Sequence, residues 1–137
     1  MRILLPLDGS PASEQAVKTV AAMCATNPCS TVEVLQVLDP MAAAGALHLL
    51  WQESSATEYL ARHAQALQER GVNATSDVDF GVPAKQIVRR AVEGEFDCVC
   101  MATRGRSGFA RAILGSVTDR VVRHSPVPVV VVKAAGR

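Results

Sequence analysis

Residues 96 to 124 read FDCVCMATRGRSGFARAILGSVTDRVVRH, and this stretch indicates the fold of the whole chain. Its first part, Phe96 to Ala102, is nearly all apolar, which predicts a strand that is covered on both faces. Its last part, Ser116 to His124, has the amphipathic pattern of a helix. A strand that leads through a loop into a helix is half of a β-α-β unit, from which parallel sheets are built.

The segment between this strand and this helix is rich in glycine and arginine. Its glycines are Gly105, Gly108 and Gly115, and its arginines are Arg104, Arg106 and Arg111. Such a loop approaches a ligand closely, and the free N–H groups at the start of the next helix favour a bound phosphate. We interpret the segment as a nucleotide phosphate loop in which at least one arginine contacts phosphate. The alternative is a surface loop without a ligand, in which the arginines are only solvated.

The distribution of charge favours a small anionic ligand. From Ala102 to His124 there are five arginines and one aspartate, a balance of +4, whereas the whole chain carries only +1. The rest of the chain is therefore acidic, at −3. Such a local concentration suits a small anion better than a long polyanion, so we expect neither nucleic acid nor a membrane as partner.

The other elements alternate along the chain in the same way. Further strands are predicted at Arg2–Leu7, Thr31–Leu38, Asn73–Phe80 and Val127–Val132, the last of them at an edge because prolines flank its start. Helices are predicted from Ser10 or Ser13 to Asn27, from Glu53 to Arg70 and from Pro83 to Gly94. This order predicts an α/β fold in one domain, residues 1–137, whose doubly wound, five-stranded and mostly parallel sheet carries helices on both faces.

One apolar stretch, Met41 to Trp51, lies outside these elements. It includes Gly45 and His48 and is too short to span a bilayer. We expect it to be a loop or a helix that packs at a dimer contact or at the mouth of a ligand site.

The predicted sheet brings Asp8 close to the glycine loop. In such sheets, ligands bind beyond the carboxyl ends of the strands, where the strand order reverses. Asp8 ends the first strand and either accepts hydrogen bonds from ribose hydroxyls, holds a metal on the phosphates, or simply caps a turn beside Gly9. Ser116 likewise either contacts phosphate or only caps its helix.

No catalytic or metal site is expected. Cys98 and Cys100 lie two apart on a strand and are predicted to face one side as core residues, and no further ligand pair has the spacing of a zinc site. The three histidines lack partners at catalytic spacing. The start of the chain has no secretory pattern, so we expect a cytoplasmic protein with reduced thiols.

Several motifs together resemble those of the universal stress proteins. They are Pro6-Leu7-Asp8-Gly9-Ser10, then Gly81-Val82-Pro83, the strand after Asp97, the loop from Gly105 to Ser116, and the ending Ser125-Pro-Val-Pro-Val-Val-Val-Val132. The ATP-binding subgroup carries glycine, two residues, glycine, nine residues, and Gly-Ser or Gly-Thr. Gly105 and Gly115-Ser116 match the second half of that pattern, whereas Ala102 stands at its first glycine. One methyl group there leaves room for the ligand if the backbone keeps φ below zero.

The resemblance implies a fold of the adenine nucleotide alpha hydrolase type, a homodimer through Val127–Val132, and ATP, with or without Mg²⁺, as the cofactor. It places adenine and ribose near the ends of the first, second and fourth strands, and phosphates near the loop and the helix after it. The implied binding residues are Pro6, Leu7, Asp8, Val37, Met101, Ala102, Arg104, Gly105, Gly115, Ser116, Val117 and Thr118.

The function implied by the resemblance is that of a small regulatory protein with at most slow ATP hydrolysis, because the loop has no lysine and no evident general base. Alternatives are an ATPase or phosphoryl transferase, an interaction module that binds no nucleotide, and a flavin-binding domain.

Overall fold

The computed structural model describes residues 1–103 and 114–133, which form one sheet with two helices on each face. The strands are β1 (Arg2–Pro6), β2 (Thr31–Leu38), β3 (Asn73–Phe80), β4 (Cys98–Ala102) and β5 (Val129–Val132). The helices are α1 (Pro11–Thr26), α2 (Ala46–Glu69), α3 (Pro83–Glu93) and α4 (Ser116–His124), and a short 3₁₀ turn, Pro40–Ala42, precedes α2. Within the described ranges, no helix is both long and apolar enough to cross a membrane.

The sheet has the strand order β3-β2-β1-β4-β5, and all of its paired strands are parallel. The chain first builds outward from β1 to β3, then crosses back and builds outward on the other side from β4 to β5. The strand order therefore reverses between β1 and β4, where Ile3 lies beside Cys98. This confirms the predicted doubly wound fold, with β5 at an edge of the sheet.

The two faces of the sheet carry separate apolar cores. Alternate residues of β1 point to opposite sides, so Ile3 and Leu5 pack with α1 and α2, whereas Leu4 packs with α3 and α4. Cys98 and Cys100 both face the side of α1 and α2, as the sequence predicts. Burial raises the pKa of both thiols, that of Cys100 to about 12, which keeps them protonated and unreactive.

Helix α2 starts seven residues earlier than the predicted Glu53. Gly45, at φ 102°, makes the turn that leads into it, and the helix then takes up much of the apolar stretch Met41 to Trp51. Leu47 and Trp51 remain 84% and 66% exposed. A helix boundary is hard to place from the sequence when its first turns bury nothing, because no periodic pattern marks them.

Strands β4 and β5 both begin two residues later than predicted. The Ser125 hydroxyl accepts a hydrogen bond from the Val127 N–H and donates one to the Val127 carbonyl. Val127 therefore belongs to the turn before β5. At β4, the Phe96 N–H donates to the Ala91 carbonyl at the end of α3, so Phe96 belongs to the turn.

Arg90 of α3 forms ion pairs with the two outer strands, β2 and β3. Its guanidinium lies 2.9 Å from a Glu33 carboxylate oxygen, 2.8 Å from one of Asp77 and 3.4 Å from one of Asp79. Partial burial would lower the pKa of Arg90, but Glu33 and Asp77 outweigh it and raise the pKa above its usual value. One cation therefore links β2, β3 and α3.

Replacing Arg90 with Met is expected to lower the free energy of unfolding by about 1 to 3 kcal/mol, because three neighbouring carboxylates lose the cation that they share. Urea unfolding measures the change. The control is Arg89→Met, which removes only an exposed pair with Glu93 and should leave the free energy of unfolding nearly unchanged. Equal losses in the two variants would contradict the role of Arg90.

Candidate functional site

A cavity of about 290 Å³ opens at the carboxyl edge of the sheet, where β1 and β4 diverge. This is the position at which doubly wound sheets hold their ligands, and its size is near the lower end for small-molecule sites. Ten of the predicted binding residues line it: Pro6, Leu7, Asp8, Val37, Met101, Ala102, Gly115, Ser116, Val117 and Thr118. The other two, Arg104 and Gly105, lie outside the described residues, as do Arg106, Gly108 and Arg111.

Asp8 stands where the β1 ladder ends. The Leu7 N–H still donates a hydrogen bond to the Leu35 carbonyl of β2 at 2.7 Å, and the chain then turns away from the sheet. The Asp8 carboxylate accepts a hydrogen bond from the Ser10 N–H at 2.9 Å, so Asp8 does cap the turn, and it also lines the cavity. Partial burial would raise the pKa of Asp8, but hydrogen bonds from Ser10 and Ser13 outweigh it and lower the pKa below its usual value. At neutral pH the cavity therefore has a carboxylate in its wall.

The same wall continues into the first turn of α1. Of the two predicted caps, Ser10 is the one that caps this helix, because its hydroxyl accepts the Ser13 N–H at 3.1 Å. The Ser13 hydroxyl donates back to the Ser10 carbonyl at 2.9 Å and accepts the Asp8 N–H at 3.4 Å. These bonds fix the position of Asp8 in the wall.

A second polar cluster supports this turn from behind. The Tyr59 hydroxyl of α2 donates to a Glu14 carboxylate oxygen at 2.8 Å, and His63 packs edge-on against the Tyr59 ring at 4.8 Å. Burial and the neighbouring Glu14 carboxylate raise the pKa of Tyr59, so its hydroxyl stays protonated and continues to donate. Helix α2 is thereby attached to the first turn of α1.

The start of α4 forms the opposite wall. Gly115 occupies the cap position, so the interpretation of Ser116 as the cap of its own helix is wrong. No side chain in the described ranges caps this end, and the N–H groups at the start of a helix favour a bound anion. The Thr118 hydroxyl donates to the Ala102 carbonyl at 3.2 Å and fixes α4 against the end of β4.

Ala102 has the negative φ that an alanine needs at this position. Among the described residues other than glycine, only Glu95 has a positive φ, so Ala102 keeps an ordinary extended backbone. It is the last residue of β4 and packs partly against the core beneath α1 and α2. The methyl group therefore causes no backbone strain at the cavity.

The floor of the cavity is apolar. Val37 of β2, Ile87 of α3 and Met101 of β4 meet there, and Ile87 and Met101 are only 3% and 6% exposed. The cavity thus combines an apolar slot with a carboxylate and a helix start that attracts anions. This arrangement suits a molecule with a flat ring at one end and an anionic group at the other.

Some lining residues were not predicted as binding residues. They are Ser10, Ala12, Ser13, Pro83, Ile87 and Thr103. Ser10, Ser13 and Pro83 could have been found from the sequence, because they stand at predicted helix starts. The sequence pattern of Ile87 does not distinguish it from the other core residues of α3. No histidine is among the described lining residues, and the described ranges contain no group of three or more side chains suited to a metal ion.

Comparison with known proteins gives the family. The model of the universal stress protein family matches residues 1–133. Universal stress protein MJ0531 of Methanocaldococcus jannaschii is 32% identical over 139 residues, which cover 96% of this chain and 81% of that protein. A longer universal stress protein of Mycolicibacterium smegmatis is 30% identical over 135 residues, and the match covers 45% of its length.

Solved structures share the fold. Protein MJ0577, which is a universal stress protein of Methanocaldococcus jannaschii, superposes with a TM-score of 0.85 at 27% identity, over 99% of this chain and 97% of that one. A universal stress protein in complex with cAMP superposes at 0.72 with 21% identity, covering 98% of each chain. One from Archaeoglobus fulgidus in complex with dAMP superposes at 0.74 with 19% identity, covering 96% of each chain. The family model, the match along the chain and the common fold show that this protein belongs to the universal stress protein family.

Proposed function

We propose that this protein is a regulatory ATP-binding member of the family and that ATP occupies the cavity between β1 and β4. The observation that carries this proposal is the position of Asp8 and the start of α4 on opposite walls of one cavity with an apolar floor. The cAMP and dAMP held by two relatives of the same fold support an adenine nucleotide as the ligand class. The glycine pattern from Gly105 to Ser116 favours ATP among these nucleotides.

Each part of the nucleotide has a matching part of the wall. The adenine ring fits the slot formed by Val37, Ile87 and Met101. The Asp8 carboxylate is positioned to accept hydrogen bonds from ribose hydroxyls, and the first-turn amides of α4 to bind phosphate oxygens. Asp8 is the only carboxylate among the described lining residues, so it would also be the residue to hold Mg²⁺ on the phosphates.

The described wall supports binding better than turnover. It contains no lysine or histidine, and the lowered pKa of Asp8 makes this carboxylate a weak general base. We therefore propose slow hydrolysis at most, with nucleotide occupancy acting on the protein's surface. The free thiols of Cys24, Cys98 and Cys100 support a reducing, cytoplasmic location.

The first prediction for the site concerns Asp8. Asp8→Asn keeps an oxygen for the turn but removes the charge, and we expect it to weaken ATP binding about tenfold, since hydrogen bonds to a charged acceptor are the stronger ones. Calorimetric titration with ATP and Mg²⁺ measures the effect. Asp39→Asn is the matched control, because Asp39 caps a turn through the Met41 N–H at 2.9 Å but does not line the cavity. Equal affinities in all three proteins would refute the assignment of Asp8.

The second prediction separates the contribution of the Ser116 backbone N–H to ATP binding from that of the Ser116 side chain. Ser116→Pro removes one amide donor while suiting the first helical position, and the extended Gly115 (φ −63°, ψ 161°) tolerates a following proline. Compared with Ser116→Ala, which keeps the amide, the proline variant should bind ATP about tenfold more weakly and adenosine equally well. Titration of both variants with both ligands tests this. A parallel loss of adenosine binding would show damage to the cavity instead.

We also propose that β5 pairs with its twin in a homodimer. The strand lies at an edge of the sheet and is paired with β4 on one side. Because alternate residues of a parallel strand bond to the same neighbour, the backbone N–H and C=O groups of Val129 and Val131 point away from β4. Val131 is 40% exposed, and an apolar edge of this kind is normally covered.

Val131→Lys is expected to raise the dimer dissociation constant at least about tenfold, because it places a charge at an apolar contact between two strands. Sedimentation velocity over a concentration series measures it. Val92→Lys, at a similarly exposed valine of α3, is the control and should leave the dimer intact. A wild-type protein that sediments as a monomer, or equal dissociation of both variants, would rule out this interface.

A further inference from the structure

A groove of about 390 Å³ runs between α3 and α4 on the outer surface of the protein. Its described floor and sides are formed by Val82, Ala84 and Val88 on the side of α3. Val82 is 48% exposed, and Val88 is partly exposed above the core. The groove therefore offers apolar surface that the described part of the chain leaves uncovered.

The rim of this groove is basic. Lys85 stands on α3, and Arg120 and His124 stand one helical turn apart on α4. No acidic side chain is among the described lining residues, and neither Lys85 nor Arg120 forms an ion pair within the described ranges.

Other cations on the same two helices behave differently. Arg89 of α3 pairs with Glu93 at 2.8 Å, and Arg123 of α4 pairs with Asp119 at 3.0 Å. Both of these arginines lie outside the groove. Of the basic side chains on α3 and α4, those without an ion pair in the described ranges are Lys85, Arg120 and His124, and all three line the groove.

We propose that the α3/α4 groove binds a short acidic, amphipathic segment of a partner protein. The apolar side chains of such a segment would cover Val82, Ala84 and Val88, and its carboxylates would pair with Lys85 and Arg120. An apolar floor with a basic rim selects this chemistry over a basic or a purely polar segment. Helices α3 and α4 also line the cavity between β1 and β4, through Pro83 and Ile87 of α3 and Val117 and Thr118 of α4. The proposal does not depend on nucleotide binding and is tested without nucleotide.

The probe is a synthetic amphipathic helix of leucine and glutamate, with a scrambled peptide of the same composition as its control. Fluorescence anisotropy at physiological salt measures binding to the full chain. Lys85→Glu with Arg120→Glu should weaken binding of the amphipathic peptide at least about tenfold. Arg89→Glu with Arg123→Glu changes the net charge equally on the same helices and should change binding less than about twofold.

Amide chemical shifts of the wild-type protein give a second measurement, which does not rely on the variants folding. Shifts that move at Val82, Lys85, Val88 and Arg120 on addition of the amphipathic peptide support the proposal. It is overturned if this peptide does not bind, if the scrambled peptide binds as well, or if both charge-reversed variants lose binding equally. It is also overturned if the groove variants abolish only self-association of the chain or only binding to phosphatidylglycerol vesicles, because the groove would then serve a second copy or a lipid surface.

Discussion

Burial of β1 and β4 on both faces is the constraint from which the rest of the structure follows. Ile3 and Leu5 pack with α1 and α2, Leu4 and Val99 pack with α3 and α4, and none of these side chains is more than marginally exposed. Strands enclosed in this way cannot carry polar chemistry along their length without a large desolvation cost. Their polar residues are confined to the ends: Asp8 follows β1 after Leu7, and Thr103 follows directly after β4.

The reversal of strand order turns these ends into a cavity. Helices α1 and α4 begin on opposite faces of the sheet beside the gap between β1 and β4, so two helix starts and one carboxylate converge there. The hydrogen bond from Thr118 to the Ala102 carbonyl fixes one wall, and the bonds among Asp8, Ser10 and Ser13 fix the other. A ligand would therefore meet donors and acceptors that are already in position, which reduces the entropic cost of binding.

Helices α3 and α4 connect the cavity to the outer surface. Ile87 contributes to the floor of the cavity, and Val88, the next residue of α3, contributes to the groove between the helices. On α4, Val117 faces the cavity and Arg120, one turn later, faces the groove. A small displacement of either helix would alter both places at once, so the cavity and the groove are mechanically coupled.

The sequence by itself determined the alternation of strands and helices, the enclosure of β4, the edge position of β5 and a serine cap, Ser10 or Ser13, for α1. Each of these follows from local periodicity or from a proline or serine at a helix or strand boundary. The tertiary structure alone decided which residues meet across the fold. Arg90 pairs with Glu33 from 57 positions away, Tyr59 bonds to Glu14, and Ile87 reaches the cavity floor. Such contacts depend on strand order and helix placement, which local sequence patterns do not encode, because each helix has several positions from which it could cover the same apolar strands.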